Sequence, residues 1–93
     1  MSNDTVFKAL ADGNRRKIIG LLRKKSMTAG EIAGFFNISK PSISEHLKIL
    51  RNANIVFSEK TGQFVTYSLN TTVFQDIISF FLDLTEKNRQ GED

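Results

Sequence analysis

The 93-residue sequence predicts a mainly helical domain with one β-hairpin, built from five helices and two strands. Up to Asn52 the apolar residues recur at the three- and four-residue spacing of amphipathic helices. Between Ile55 and Leu69 they change to the alternation expected of strands, and after Thr72 the helical spacing returns. We expect a single domain over residues 1–93, because a hydrophobic content of 40% suffices for one modest core.

The composition excludes several kinds of chemistry. The sequence contains no cysteine, so thiolate metal ligands, cysteine nucleophiles and disulfides are all excluded. The N-terminus does not resemble a signal peptide, and no apolar run approaches the roughly 20 residues that a membrane span needs. We therefore expect a cytoplasmic protein without stable membrane insertion.

The charge is distributed unevenly along the chain. Residues 1–70 carry 11 Lys and Arg against 5 Asp and Glu, a net charge of +6, whereas residues 71–93 carry 2 against 5, a net charge of −3. A basic body attracts polyanions, and nucleic acid is the commonest of them. The alternative is an ordinary lysine-rich surface in contact with water, and charge alone leaves both interpretations open.

The first two helices begin with capping residues and an unusual cluster of cations. Asp4 or Thr5 is expected to cap the first helix and Asp12 the second. Arg15, Arg16 and Lys17 then fall in the first turn of the second helix, where the helix dipole disfavours positive charge. Either an anionic partner or simple solvation would account for them.

The third and fourth helices are predicted to be short and close together. Thr28 and Glu31 have the spacing of a capping box at the start of the third helix. A break over residues 37–40 follows, Ser39 caps the fourth helix, and Pro41 stands in its first turn, where a missing amide costs nothing. The residues expected on the buried side of the third helix are Ile32, Ala33, Phe35 and Phe36.

The fourth helix has two distinct faces. Ile43, Leu47 and Leu50 form a stripe that should be buried. The opposite face is polar and short-chained, so it can approach the base edges and phosphates of a DNA major groove. Small hydroxyl groups at the helix start also suit phosphate oxygens. The residues of this outward face are Pro41, Ser44, Glu45, Lys48 and Asn52.

The hairpin and the last helix complete the pattern. Lys60, Thr61 and Gly62 are expected at the hairpin tip, which makes the hairpin a basic-tipped wing beside a helix-turn-helix. This order of elements in a positively charged body predicts a winged helix-turn-helix that binds DNA. The last helix begins at residues 70–72, and its apolar residues cover more than one stripe, so we expect it to pack on two partners.

Three stretches resemble the ArsR family of winged-helix repressors: ADGNRRKIIGLL, MTAGEIAGFFNISKPSISEHLKILRNANIV and GQFVTYSLN. NISKPSISEHLKIL and GQFVTYSLNTTVFQD are most similar to the SdpR-like autorepressor branch. The resemblance implies a symmetric homodimer joined through its first and last helices, with the helix from Ser39 to Asn52 reading DNA. It also implies repression that some signal relieves. Gly13 departs from the family, which commonly has proline after the aspartate.

The predicted function is a homodimeric repressor, with its own operon among the candidate targets, that binds a palindromic operator of double-stranded DNA. Its two reading helices would enter successive major grooves about 34 to 36 Å apart. The residues expected at the groove are Ser39, Lys40, Pro41, Ser42, Ser44, Glu45 and Lys48, those on phosphates are Arg15, Arg16 and Lys60, and those near the wing tip are Thr61 and Gln63. The expected dimer interface consists of Val6, Phe7, Leu10, Phe74, Ile77, Ile78 and Phe81.

The sequence predicts neither a metal site nor a catalytic site. The segment Glu31–Phe36, which matches the thiolate site of the family's metal sensors, has no cysteine, and the last helix has no histidine. Its acidic residues Asp76, Asp83 and Glu86 are carboxylates alone, which are poor ligands for zinc-like metals. The single histidine, His46, is expected to pack beside the buried stripe, and no nucleophile and base are paired. We expect no cofactor and no enzymatic activity.

Two questions stay open at this point. A winged-helix module could use the same helices to grip a protein and bind DNA only through charge. The signal is equally undetermined: eight phenylalanines could line a pocket for an apolar effector, although aromatic residues at these spacings more often form a core. A partner protein that captures the dimer fits the sequence as well.

Overall fold

The computed structural model describes the backbone of residues 3–91 and the side chains of residues 4–86. Over that range it contains five helices and a three-stranded antiparallel sheet in the order β1-β3-β2. The elements are α1 (Asn3–Leu10), α2 (Gly13–Lys24), β1 (Met27–Thr28), α3 (Ala29–Ala33), α4 (Lys40–Asn52), β2 (Val56–Thr61), β3 (Phe64–Leu69) and α5 (Thr71–Gly91). The predicted winged helix-turn-helix is confirmed.

The sheet has one strand more than the two predicted. Strand β1 is only two residues long, and its Met27 pairs with Tyr67 of β3. Two residues are too few to show an alternating pattern in the sequence. The strand exists because β3 offers it a ladder of backbone partners, which is a tertiary effect.

The first helical caps are partly as predicted. Helix α1 begins at Asn3, so Asp4 and Thr5 lie inside its first turn and the predicted cap position is wrong. Asp12 does cap α2, because its carboxylate accepts hydrogen bonds from the N–H groups of Asn14 at 2.8 Å and Arg15 at 3.1 Å. These bonds favour the charged carboxylate, and the one from Arg15 contributes most to lowering the pKa of Asp12.

The capping box of α3 is also confirmed. Thr28 Oγ1 accepts from the Glu31 N–H at 3.2 Å, and the Glu31 carboxylate accepts from the Thr28 N–H at 2.9 Å. However, α3 ends at Ala33 and the connection to α4 runs over residues 34–39, which is longer than predicted. Phe35 therefore lies beyond the helix and is 52% exposed, contrary to its predicted burial, whereas Phe36 is partly buried.

The core lies between α2, α3, α4 and the start of the wing. The predicted buried stripe of α4 is confirmed, because Ile43, Leu47 and Leu50 are almost completely inaccessible to solvent. They pack in one cluster with apolar residues of α2, α3 and the start of the wing. Those fully buried partners include Ile18, Ile32, Ile55 and Val56.

The end of α4 is closed by a Schellman motif. Asn54 has a left-handed backbone with φ of 59°, and its N–H donates to the Arg51 carbonyl at 2.9 Å. The Ile55 N–H donates to the Leu50 carbonyl at 2.9 Å. The side-chain amide of Asn70 donates to the Asn54 carbonyl at 2.8 Å, so the same turn is tied to the end of β3.

The wing is a regular hairpin with a two-residue tip. Strands β2 and β3 pair along their length up to Thr61 opposite Phe64, and Gly62 and Gln63 form the turn. Gly62 has φ of 62° at the first central position, which is typical of a type II′ turn. Lys60 belongs to the paired part of β2 rather than to the tip, so its predicted position is wrong by two residues.

Helix α5 changes character along its length. It begins at Thr71, within the predicted range, and Val73, Phe74 and Ile77 pack against the core. Farther along, large apolar side chains face solvent, including Ile78 at 58% exposure and Phe81 at 52%. Even so, none of the helices in the described part of the chain has the length and apolarity to cross a membrane.

The turn after α4 generates a test of the fold. Asn54→Ala and Asn54→Gly both remove the side-chain amide, but alanine resists a φ of 59° whereas glycine adopts it freely. We expect the alanine variant to have a free energy of unfolding about 1 kcal/mol lower than the glycine variant. Urea unfolding measures this difference, and equal stabilities of the two variants would contradict the left-handed turn.

Candidate nucleic-acid interface

The start of α4 presents two serine hydroxyls and a proline. Ser39 caps the helix, its Oγ accepting from the Ser42 N–H at 3.2 Å, and the hydroxyls of these two serines lie 2.9 Å apart. Pro41 occupies the first turn, as predicted, where its missing N–H has no helical partner. This helix start therefore exposes hydroxyls, free backbone N–H groups and the positive end of the helix dipole.

The outward face of α4 is polar and free of internal bonds. Ser44, Glu45 and Lys48 are exposed, and their side chains have no hydrogen bond or ion pair with any group between residues 4 and 86. Pro41 and Asn52 are exposed on the same side, as the sequence predicted. Such a face has donors and acceptors available for an external partner, and its short side chains allow a close approach.

Arg51 belongs to this face and was missed by the sequence prediction. It follows Ser44 by seven residues, which returns it to nearly the same side of the helix, and it is exposed. The heptad spacing was the available signal. With Lys40 and Lys48 it gives the outward face three cations against the single carboxylate of Glu45.

The far end of the wing carries the other predicted contacts. Lys60, Thr61 and Gln63 are all exposed at or beside the turn. Phe64, the first residue of β3, is 66% exposed in the same place and was not among the predicted site residues. The alternation of apolar residues indicated only that Phe64 belongs to a strand, which carries no information about a binding site.

Arg15 and Arg16 have partners that the sequence did not suggest. The Arg15 side chain donates to the carbonyl oxygens of Ala9 at 2.7 Å and Lys8 at 3.1 Å, and Arg16 donates to that of Leu10 at 2.8 Å. These carbonyls form the C-terminal end of α1, which lacks helical donors and carries the negative end of the dipole. The cations at the start of α2 therefore compensate the end of the preceding helix.

Arg15 also contacts the far side of α4. Its Nη1 lies 3.3 Å from Nδ1 of His46. A carboxylate oxygen of Asp12 lies 4.0 Å from the same His46 Nδ1. The His46 side chain is 15% exposed. Because it stands two residues, or about 200°, from Ser44 around the helix, this cluster lies behind the outward face of α4. The guanidinium of Arg15 is thus held by groups of its own chain.

Lys17 has a structural role as well. Its Nζ donates to the Phe35 carbonyl at 2.6 Å and lies 4.4 Å above the centre of the Phe36 ring. These residues, with Asn14 and Asn37, border an open depression of about 470 Å³. Two phenylalanines line it, so this depression does not gather the aromatic residues into one apolar pocket.

A second exposed surface is apolar and joins α1 to α5. The ring of Phe7 lies 6.1 Å, centre to centre, from both Phe80 and Phe81, which are 5.5 Å apart. Of the residues predicted for a dimer interface, Ile78 and Phe81 are exposed, whereas Val6 is buried in the core of the chain. Phe7, Leu10, Phe74 and Ile77 are partly buried. Helix α5 exposes three further large apolar residues that were not among the predicted interface residues: Phe80, Leu82 and Leu84.

No cluster of three or more potential metal ligands occurs among the side chains from Asp4 to Glu86. The carboxylates of Asp76, Asp83 and Glu86 are exposed on α5.

Comparison with known proteins identifies the fold and the family. The family model described as bacterial regulatory protein, arsR family, matches residues 12–58. The transcriptional repressor SdpR of Bacillus subtilis is 55% identical over 84 residues, which cover 90% of this chain and 93% of that protein. The arsenical resistance operon repressor of Staphylococcus aureus is 34% identical over 74 residues, which cover 80% and 71%.

Solved structures agree with the sequence relatives. The crystal structure of an ArsR family transcriptional regulator matches with a TM-score of 0.87 at 26% identity, covering 92% of this chain and 94% of the other. HlyU from Vibrio cholerae matches with a TM-score of 0.73 at 28% identity, covering 88% and 89%. The resemblance predicted from the sequence is thereby confirmed. The chain belongs to the ArsR family of bacterial regulatory proteins, and it is a DNA-binding transcriptional regulator rather than an enzyme.

Proposed function

We propose that this protein is a homodimeric repressor that binds a palindromic operator, with one α4 in each of two successive major grooves. The observation that carries the proposal is the outward face of α4, where Ser44, Glu45 and Lys48 have no partner within the described part of the protomer. The two half-sites would lie one helical turn apart, about 34 to 36 Å.

Repression is supported by the relatives. SdpR, at 55% identity, is named a transcriptional repressor, and so is the arsenical resistance protein. HlyU of Vibrio cholerae, at 30% identity, is named a transcriptional activator, so the more similar relative favours repression. The protein's own operon is a candidate target. A repressor of bacterial operons acts on DNA in the cytoplasm, so the proposed function includes a cytoplasmic location.

The proposed DNA contacts follow the outward face of α4 and the wing. The hydroxyls and free N–H groups at the helix start suit a phosphate, and the face behind them suits base edges. Arg16, which is exposed and uses one of its two terminal nitrogens on α1, remains available to a phosphate together with Lys60. The proposed contacts at the groove are Ser39, Lys40, Pro41, Ser42, Ser44, Glu45, Lys48 and Arg51, and those at the wing tip are Thr61 and Gln63.

Dimerisation is supported by the apolar surface of α1 and α5. A monomer that exposed this contiguous row of large side chains to water would be unusual, and a two-fold partner would cover it with the same row. In this arrangement Phe81 and Ile78 lie near the centre. Leu10, Phe74 and Ile77 lie at the edge that also packs against the protomer core, Phe7 contacts Phe81, and Val6 belongs to the core itself.

An unidentified signal releases the repressor from DNA. None of the 93 residues is a cysteine, so these residues offer no thiolate to an inducing metal. The signal can be a small apolar effector or a partner protein, because the exposed aromatic residues could bind either.

Selection of bound duplexes from a random pool at about 0.15 M salt tests the proposed function. We expect a two-fold symmetric motif, with half-sites one helical turn apart, that outcompetes random DNA by about 10³-fold or more. Failure to enrich any motif would contradict operator binding and favour a protein-interaction module that binds DNA through charge alone.

Substitution of Lys48 tests the assignment of the outward face. Lys48→Ala is expected to weaken operator binding by about 10- to 100-fold, because it removes a cation from the centre of the contact surface. Lys24→Ala, which removes an equally exposed lysine at the end of α2, serves as the matched control and should bind like the wild type. If the two variants bind alike, another surface contacts the DNA.

Substitution of Phe81 tests the dimer. Phe81→Asp is expected to give a folded monomer with little affinity for the operator, because it would bury a carboxylate in the apolar interface. Ser79→Asp adds the same charge about 200° away around α5, where Gln75, Asp76 and Asp83 are also exposed, and should remain a dimer. Sedimentation separates the two states, and a dimeric Phe81→Asp variant would refute the interface.

A further inference from the structure

Arg15 connects three helices through one side chain. It belongs to α2, donates to the Ala9 and Lys8 carbonyls at the end of α1, and reaches His46 of α4 at 3.3 Å. A guanidinium has five N–H donors in a rigid fork, so it can serve acceptors on different elements at the same time. The partly buried side chain of Arg15 therefore bridges α1 and α4.

The contact with His46 has a defined direction. A guanidinium has no acceptor, so Nδ1 of His46 accepts and the ring proton lies on Nε2. Asp12 completes the cluster: its carboxylate accepts from the backbone N–H of Arg15 at 3.1 Å and lies 4.0 Å from Nδ1 of His46. Asp12 thus fixes the backbone at the start of α2, from which the Arg15 side chain extends between the two other helices.

The cluster lies between the two surfaces that the proposed function uses. On one side, α1 carries Phe7, whose ring packs with Phe80 and Phe81 of the apolar surface. On the other side, α4 carries Ser44 and Lys48 on the face opposite His46. In a two-fold dimer, the separation and tilt of the two α4 helices depend on how each is fixed to its own α1.

We propose that Arg15 is a positioning residue for operator binding, which orients α4 relative to the dimer helix α1 through His46. This inference rests on the proposed dimeric function. It replaces the phosphate contact predicted for Arg15 from the sequence, because the side chain is committed to three acceptors on two other helices. Arg15 therefore determines whether both α4 helices of a dimer fit successive grooves.

A phosphate contact and a positioning role have different signatures. Loss of a phosphate contact weakens binding to all sequences and lowers the slope of log affinity against log salt by about one. Lysine at position 15 would largely restore the affinity in that case, because it keeps the positive charge. Loss of positioning weakens operator binding selectively and leaves the salt slope unchanged, and lysine cannot repair it because one ammonium group cannot reproduce the fork.

The test uses the full-length protein with Arg15→Gln, Arg15→Lys, His46→Leu and the double variant Arg15→Gln/His46→Leu. Arg23→Gln, which removes an exposed arginine from the same helix, is the matched charge control. The probes are the selected operator duplex and a random duplex of equal length, each titrated at several salt concentrations. Sedimentation and urea unfolding verify that each variant is a folded dimer.

We expect both Arg15 variants to lose about 10-fold or more in operator affinity at an unchanged salt slope, with random-duplex affinity no lower than that of Arg23→Gln. The double variant should bind the operator no more weakly than Arg15→Gln, because both substitutions break the same contact between Arg15 and His46. If Arg15→Gln does not fold, Arg15→Lys and His46→Leu still decide the question. Recovery of wild-type affinity by Arg15→Lys, a salt slope lower by about one, or additive losses would overturn the positioning role.

The outcomes also separate this inference from the function on which it rests. If the wild type prefers no duplex, the proposed operator binding fails, and the positioning role in DNA recognition fails with it. If the wild type selects an operator and the Arg15 variants bind it equally well, only the positioning role is refuted.

Discussion

The burial of one side of α4 is the constraint on which the rest of the structure depends. Ile43, Leu47 and Leu50 are almost completely buried, and each stabilises the fold by about 1.5 to 3 kcal/mol. Because they form a single stripe, they fix the rotation of the helix about its axis, and Ser44 and Lys48 must then face outward. The core thus determines which side chains of α4 face outward, and in the proposed function these are the side chains that contact DNA.

The junction between α1 and α2 shows how the same charges can serve the fold. Arginines at a helix start are unfavourable when the helix is considered alone, but here they face the carbonyls of α1, where positive charge is favourable. The favourable contact with one helix end offsets the unfavourable position at the other. Charge closes the helical junction within the chain, and in the proposed function it also forms the DNA contact surface on α4 and the wing.

Local chemistry was predictable from the sequence, whereas non-local pairing was not. The caps at Asp12, Thr28 and Ser39 follow from spacings of two or three residues, and the sequence located all three. Strand β1 exists only because distant β3 pairs with it, and the acceptors for Arg15 come from α1 and α4. Such partners are not encoded in any short window, so the sequence identified a cation cluster but not its partner.

The central claim is that the outward face of α4, together with the wing tip, contacts DNA. Amide chemical shifts of the labelled protein, recorded with and without the selected operator duplex, test it most directly. We expect the largest changes at residues 39–51 and 60–64, with residues 34–37 beside the open depression nearly unaffected. Large changes confined to the depression or to α2, with α4 unperturbed, would contradict the account.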